Sequence, residues 1–354
     1  MSVFLSAQFS DLEPYVPGEQ PRDRRYLKLN TNESPFPPSP KAVEYAREAA
    51  KGLNLYSDPT CLRFREALAA HFGLGTDEVT VTNGSDEGLY FAFSAYCDSE
   101  KTAVFPDITY GFYPVFAKRL KIPYREIPVK EDFSIDLADY MTDSATVVIA
   151  NPNALTGLLL PLDAIASITE GNPHQAVVID EAYVDFGNES AVSLVRRYPN
   201  LLVTGTFSKS RSLAGGRLGF LAGNRELIAD IEMLRYSFNP YNVNSMTLAA
   251  GIGALEDEAY TRRNCKEIVE NRETLKTQLK ELGFTVTDSK ANFVFAAHPA
   301  LPGGALYEKL KEKGVLVRHF SSERIRDYSR ITIGTKEQMN VLVGKIREIL
   351  EGVK

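Results

Sequence analysis

The chain has 354 residues, with 40 lysine and arginine against 46 aspartate and glutamate, a formal net charge of −6. Its 44% hydrophobic content supplies packed cores, which excludes a disordered chain, and the acidic balance leaves no footprint for nucleic acid. At this length a large and a smaller domain are expected rather than one core, and no apolar run is long enough to cross a bilayer.

The opening MSVFLSAQFSDLEP has neither the basic start nor the apolar centre of a secretory signal. Residues 1–39 read as an irregular arm. LNTNESPFPPSP (29–40) is too rich in proline for a helix or central strand, so the arm is either a lid or a tail wrapping the surface. From 40 to 258 short apolar runs alternate with helical stretches. Strands are expected over 78–82, 102–106, 146–150, 175–180, 200–206 and 218–223, with helices such as 87–97 and 163–172 between them. Such alternation predicts an α/β domain on a mostly parallel sheet, with its ligand site beyond the carboxyl ends of the strands. From 259 to 354 the pattern changes to a smaller α+β domain. It has a helix over 266–283, strands at NFVFAA, GVLVRHF and RITIGT, and a last helix over 337–352. Cys61, Cys97 and Cys265 are widely spaced and read as reduced thiols, and the four histidines show no metal-binding spacing.

Three motifs follow strands. In VTNGSDEG (81–88), Asn83 and Gly84 make a sharp turn: a hairpin, or the start of a helix whose free N–H groups at Gly84, Ser85 and Asp86 take an anion. The helical run behind it favours the second. Asp86 and Glu87 suit the helix dipole, yet would repel a phosphate if they faced it. In VVIDEAYVDF (177–186), Asp180 ends a strand, either as a helix cap or as a carboxylate with a charged partner, and Tyr183 follows. In TGTFSKSRSLAGGRLGF (204–220), Lys209 stands beside Thr206 and Ser208 with Arg217 downstream. Alone, Lys209 could be a phosphate contact, an imine-forming nucleophile or surface. Together the motifs supply what a pyridoxal phosphate enzyme needs. These are a lysine for the imine, a carboxylate for the pyridine nitrogen, a hydroxyl near the ring oxygen and a phosphate cradle.

At these residues the chain resembles the histidinol-phosphate aminotransferases, within the fold-type I pyridoxal phosphate-dependent aminotransferases. The matching segments are LKLNTNESPF, NLYSDPTCLRFREALA, VTNGSDE, FPDITYGFY, NPNALTG, VVIDEAYVDF, TFSKS and AGGRLGF, PYNVN, ANFVFA and SRITIGT, in order over nearly the whole chain. The resemblance implies a large cofactor domain with a mostly parallel sheet, a smaller C-terminal α+β domain, and a cytoplasmic homodimer with shared sites. It implies exchange of an amino group between histidinol phosphate and 2-oxoglutarate, in histidine biosynthesis. Alternatives are an aromatic or other amino acid aminotransferase, a threonine-phosphate decarboxylase-like enzyme, or a catalytically silent fold relative.

The same resemblance assigns roles. Lys209 forms the imine with pyridoxal 5'-phosphate and then moves the proton, Asp180 holds the pyridine nitrogen, and Tyr183 faces the ring oxygen. Tyr110 stacks on the ring, unless it is core packing. Gly84, Ser85, Asp86, Thr206, Ser208 and Arg217 surround the phosphate, which Tyr56 reaches from the partner subunit. Tyr15, Asn32, Arg318 and Arg330 receive the substrate, although Arg318 could equally be a solvated strand residue. One loop departs from the family pattern Asn-Asn-Pro-Thr-Gly: here 153–157 reads Asn-Ala-Leu-Thr-Gly. Ala154 removes an amide from the ring oxygen, leaving Tyr183, or Asn153 if the loop shifts. That loss raises the imine pKa. Leu155 in place of the proline is expected to leave the loop less fixed.

Overall fold

A computed structural model of the chain describes residues 2–9 and 12–352; residues 1 and 10–11 of the expected arm and 353–354 of the expected C-terminal domain lie outside the described residues. In chain order the first elements are β1 (Leu27–Lys28), α1 (Pro40–Ala49), α2 (Leu62–Phe72), β2 (Val79–Thr82), α3 (Ser85–Tyr96), β3 (Thr102–Pro106), α4 (Tyr113–Leu120) and β4 (Tyr124–Ile127). Then come β5 (Ala145–Ala150), α5 (Leu162–Glu170), β6 (Val177–Asp180), β7 (Leu201–Thr206), β8 (Gly219–Gly223), α6 (Arg225–Phe238) and α7 (Ser245–Glu256). The rest are α8 (Glu258–Glu281), β9 (Thr285–Val286), β10 (Phe293–Ala297), α9 (Gly303–Glu312), β11 (Val315–Leu316), β12 (Arg318–His319), β13 (Tyr328–Thr332) and α10 (Lys336–Glu351).

Seven strands form the main sheet in the order β2-β8-β7-β6-β5-β3-β4. Strands β3 to β7 run parallel, and β8 lies antiparallel between β7 and β2. Two reversals restore direction, so β2 points the same way as β7. The register then brings the ends of three strands, β2, β6 and β7, to one edge. Thr82 and Thr206 both pair with Gly219, and Asp180 pairs with Ala150 and Thr204. That carboxyl edge is where open α/β sheets bind ligands.

The central strands ATVVIA, VVID and LLVTGT read as continuous apolar runs because helices cover both faces. Alternate side chains serve opposite cores. Val148, Val178 and Leu202 join Phe93 and Phe105 on one face, and Val147, Val177 and Val203 join Phe64 and Ile165 on the other. Burying each such side chain is worth about 1.5–3 kcal/mol. All three cysteines are free and buried. Among the described residues, no helix is long and apolar enough to cross a membrane, and no group of three or more His, Cys, Asp or Glu could hold a metal.

The α/β architecture with a mostly parallel sheet matches the expectation from strand–helix alternation. Several local readings need correction. The arm is not irregular throughout, because β1 pairs in parallel with β11. GVLVRHF is not one strand: it divides at Val317, since β11 follows β1 whereas β12 joins β13 in a four-stranded sheet, β12-β13-β10-β9. The polar edge strand β4, YREI, had no apolar run to announce it. Helix α8 begins at Glu258 rather than Lys266, its charged first turns hiding the helical period.

Candidate active site

A cavity of about 340 Å³ opens over the carboxyl edge of the sheet. Ser85 and Asp86 reach it from the start of α3, and Tyr110 from the loop after β3. Asp180 and Tyr183 reach it from the end of β6, and Thr206, Ser208, Lys209 and Arg217 from the segment after β7. Asp180 and Lys209, one strand apart in the sheet, therefore share one chamber.

Its floor is built for an anion. Gly84 precedes α3 at φ +76°, and no side chain caps the helix. A Cβ on Gly84 would strike the Arg217 guanidinium, and one on Gly219 would meet the Ser85 nitrogen at 2.5 Å. Bare glycine at both positions leaves the first-turn N–H groups open, and the helix dipole adds positive potential there. Arg217 enters from left-handed backbone, φ 55°, and its Nη2 lies 2.9 Å from Asp86 Oδ2. The Tyr110 hydroxyl donates to Asp86 Oδ1 at 2.7 Å. Glu87 is turned away, accepting from Asn83 N and from Asn242 Nδ2 at 2.7 and 2.6 Å. The acidic pair therefore does not confront an anion as two bare charges.

Lys209 Nζ donates to the Thr31 carbonyl at 3.3 Å and stands 5.9 Å from the Tyr183 ring centre. Burial is the main cause that lowers its pKa to about 8; Arg330 pushes the same way, against Glu33 and Asp86. Asp180 is raised to about 6, again chiefly by burial, against the hydrogen bond from Tyr113. The Tyr113 hydroxyl donates to Oδ2 at 2.9 Å and the Ala182 N–H to Oδ1 at 3.3 Å. A lysine with a lowered pKa suits proton transfer, and a dry carboxylate in the same cavity suits the holding of a positive charge.

Other expected residues take different places. Ala154 lines the cavity, but Asn153 does not: its Nδ2 donates to Ile108 O, and its Oδ1 accepts from Leu155 N and Thr156 N. The loop is accordingly well held, not loosened by Leu155. A proline there would lack the N–H that Leu155 gives to Asn153. Asn32 lies one shell behind the cavity, donating to the Tyr183 hydroxyl at 3.0 Å. Arg330 is half-buried, with Nη1 on Ala154 O at 2.9 Å, Nη2 on Asn30 O at 3.4 Å and Nε without a partner. Arg318 holds the arm, donating to Val16 O and Pro17 O at 2.9 and 3.1 Å. Tyr15 stacks on Phe112 at 4.4 Å, 6.3 Å from Tyr110. Tyr56 does not line the cavity of its own chain; it is 83% exposed and stacked on Tyr241.

Sequence reasoning passed over Tyr113, Glu33 and Thr332. Tyr113 sits in the quoted segment FPDITYGFY, three residues after Tyr110, but nothing local says which tyrosine reaches Asp180. Glu33 lines the cavity in an ion pair with Lys28, 2.6 Å, across the fold from Lys209 in sequence.

The family model described as aminotransferase class I and II matches residues 24–346. The chain belongs to that family. Curated relatives run almost end to end with this aminotransferase. The histidinol-phosphate aminotransferase of Clostridium botulinum (strain Langeland) is 45% identical over 351 residues, 99% of each chain. That of Brachyspira hyodysenteriae is 46% identical over 353 residues, 99% of this chain and all of the other. Among solved structures, a putative histidinol-phosphate aminotransferase from Erwinia carotovora atroseptica superposes with TM-score 0.85 at 27% identity, over 92% of this chain and 96% of its own. The Sinorhizobium meliloti histidinol-phosphate aminotransferase, solved with pyridoxal-5'-phosphate, covers both chains fully with TM-score 0.89. At 22% identity that likeness bears on the fold.

Proposed function

We propose that the chain is a pyridoxal phosphate-dependent aminotransferase acting on histidinol phosphate with 2-oxoglutarate as acceptor. The observation that carries this reading is the meeting of Lys209, Asp180 and the uncapped start of α3 in one cavity. Relatives of that name at about 45% identity over the full length support the substrate. The residues fit the cofactor. Ser85, Thr206, Ser208, Arg217 and the α3 N–H groups would hold its phosphate, Asp180 its pyridine nitrogen, and Lys209 its aldehyde carbon, with Tyr110 against the ring. When bound, the cofactor supplies an electron sink at the carbon that carries the exchanged amino group.

The chain's own groups do the rest. Lys209 Nζ, half neutral near pH 8, would take the proton from the substrate α-carbon and return it to the carbon on the other side of the amine nitrogen, both within reach of one flexible stem. Asp180, kept dry and held by Tyr113, stabilises positive charge across from it. Arg330 and Arg318 now donate to neutral carbonyls; exchange for a phosphate or carboxylate gives stronger, charge-assisted bonds. Tyr15, Phe112 and Tyr110 form an aromatic wall for a flat side chain, which also suits an aromatic amino acid donor.

The expected division into an arm (1–39), a cofactor domain (40–258) and a C-terminal domain (259–354) belongs to this reading, as does a cytoplasmic homodimer. Exposed Leu53, Leu55 and Tyr56, with Met233 and Phe238 at the end of α6, favour a covering partner copy. The purified protein, given a panel of amines with 2-oxoglutarate, is expected to form glutamate fastest from histidinol phosphate. Lys209→Ala is expected to lower that rate by about 10²–10⁴-fold or more. Phenylalanine reacting as fast as histidinol phosphate would move the assignment to an aromatic aminotransferase.

A further inference from the structure

Behind the cavity a closed set of hydrogen bonds ends on Tyr183. Asn32 is buried in left-handed backbone, φ 55°, and its own N–H donates to Thr332 Oγ1 at 3.0 Å. The Thr332 hydroxyl donates in turn to Asn32 Oδ1 at 3.0 Å. Asn32 Nδ2 donates to the Tyr183 hydroxyl oxygen at 3.0 Å, and Asn292 Nδ2 fixes the Asn32 carbonyl at 3.0 Å. The order of donors follows from the threonine. One lone pair of Oγ1 already receives a backbone N–H, and the hydroxyl hydrogen needs an acceptor, which the Asn32 amide oxygen provides. The amide nitrogen must then face Tyr183. A phenol oxygen that receives a hydrogen there sends its own elsewhere, and Tyr183 lines the cavity that holds Lys209. Burial favours the neutral phenol, so the hydrogen stays on Tyr183. Across from it Ala154 brings only a methyl group to the same cavity.

We propose that Thr332 and Asn32 are positioning residues that aim the Tyr183 hydroxyl hydrogen into the cavity, as a donor to the cofactor's ring oxygen beside Lys209. The inference rests on the cofactor reading given above. Without that donor the ring oxygen's negative charge is less well held, and the neighbouring protonated nitrogen of Lys209 becomes harder to deprotonate.

The test titrates the visible absorbance of the Lys209-bound cofactor against pH in the holoenzyme. In T332V and N32A the apparent pKa is expected to rise by about one pH unit, the worth of about one hydrogen bond. Y183F should give the largest rise, and T332S, which keeps the hydroxyl, should titrate as wild type. T332V added to Y183F should shift nothing further, because both act through one phenol. A merely structural role for Thr332 would lower the melting temperature without moving the titration. Should T332V lose its cofactor, N32A against T332S carries the same comparison. A raised Y183F with T332V and N32A unmoved overturns the relay alone, as does a T332V shift that persists in Y183F. A Y183F titration equal to wild type overturns the role of Tyr183, and the relay with it.

Discussion

Lys209 illustrates how much one side chain owes to its surroundings. An ordinary lysine holds its proton to about pH 10.4. Here burial, then Arg330, bring the value to about 8, with Glu33 and Asp86 opposing. The sign of the linked stability follows. Below about pH 8 the amine is charged in both states and the full cost of burying it is present. Between pH 8 and the ordinary value the unfolded chain binds more protons, so the folded form gains stability as pH rises. Since only a neutral amine reacts, brief reductive methylation of the cofactor-free protein should label Lys209 ahead of the exposed lysines, with its rate half-maximal near pH 8. Peptide mass spectrometry after graded pH treatment reads this directly. Lys209 labelling no earlier than surface lysines would remove the case for a neutral amine at working pH.

Among the elements, the arm and the β11–β12 segment explain one another. β1 pairs with β11, and two residues beyond, Arg318 on β12 turns its guanidinium to the carbonyls of Val16 and Pro17. Glu19 makes a second clasp with Lys311, 2.6 Å, and its carbonyl accepts from Asn30 Nδ2 at 2.9 Å. These bonds hold Tyr15 on Phe112, with its ring 6.3 Å from that of the cavity residue Tyr110. In Arg318→Ala, amide exchange over residues 12–20 should quicken about fivefold, matching roughly 1 kcal/mol of lost local protection. Exchange in β5 to β7 should stay as in wild type. Substrate KM should rise in parallel. Unchanged arm exchange together with a raised KM would mean that Arg318 serves the substrate alone and does not fasten the arm.

The molecule as a whole carries one further unmet requirement: Tyr56, expected at a phosphate, points outward on Tyr241 with 83% of its surface exposed. A twofold dimer resolves this if the loop of each copy reaches the other's cavity. Mixing Lys209→Ala with Tyr56→Ala under conditions that exchange subunits is expected to regenerate roughly a quarter of the wild-type sites, since half the dimers are hybrids and each has one complete site. Activity and cofactor retained after dialysis both report the recovery. No recovery beyond the sum of the separate variants would place Tyr56 outside any shared site.

Strand ends, the glycine turn at Gly84 and the lysine loop were legible along the chain because short-range chemistry writes them. An apolar run ends, a turn residue follows, and a polar group is left at the edge. The family pattern added the joint meaning of Asp180 and Lys209. Neither could show that Tyr113 rather than another tyrosine supports Asp180, that Asn153 ties its own loop, or that Thr332 reaches Asn32 from the far side of the sequence. Tyr113 and Asp180 stand 67 positions apart and meet because β3, β5 and β6 are parallel neighbours in the main sheet; Asn32 and Thr332 stand 300 apart and meet because the arm after β1 bonds to β13, Thr332 N donating to Leu29 O at 3.0 Å. Local pattern decides which groups stand at the ends of strands. Which groups touch, and which way a hydroxyl hydrogen points, depends on packing between segments that no window of sequence contains.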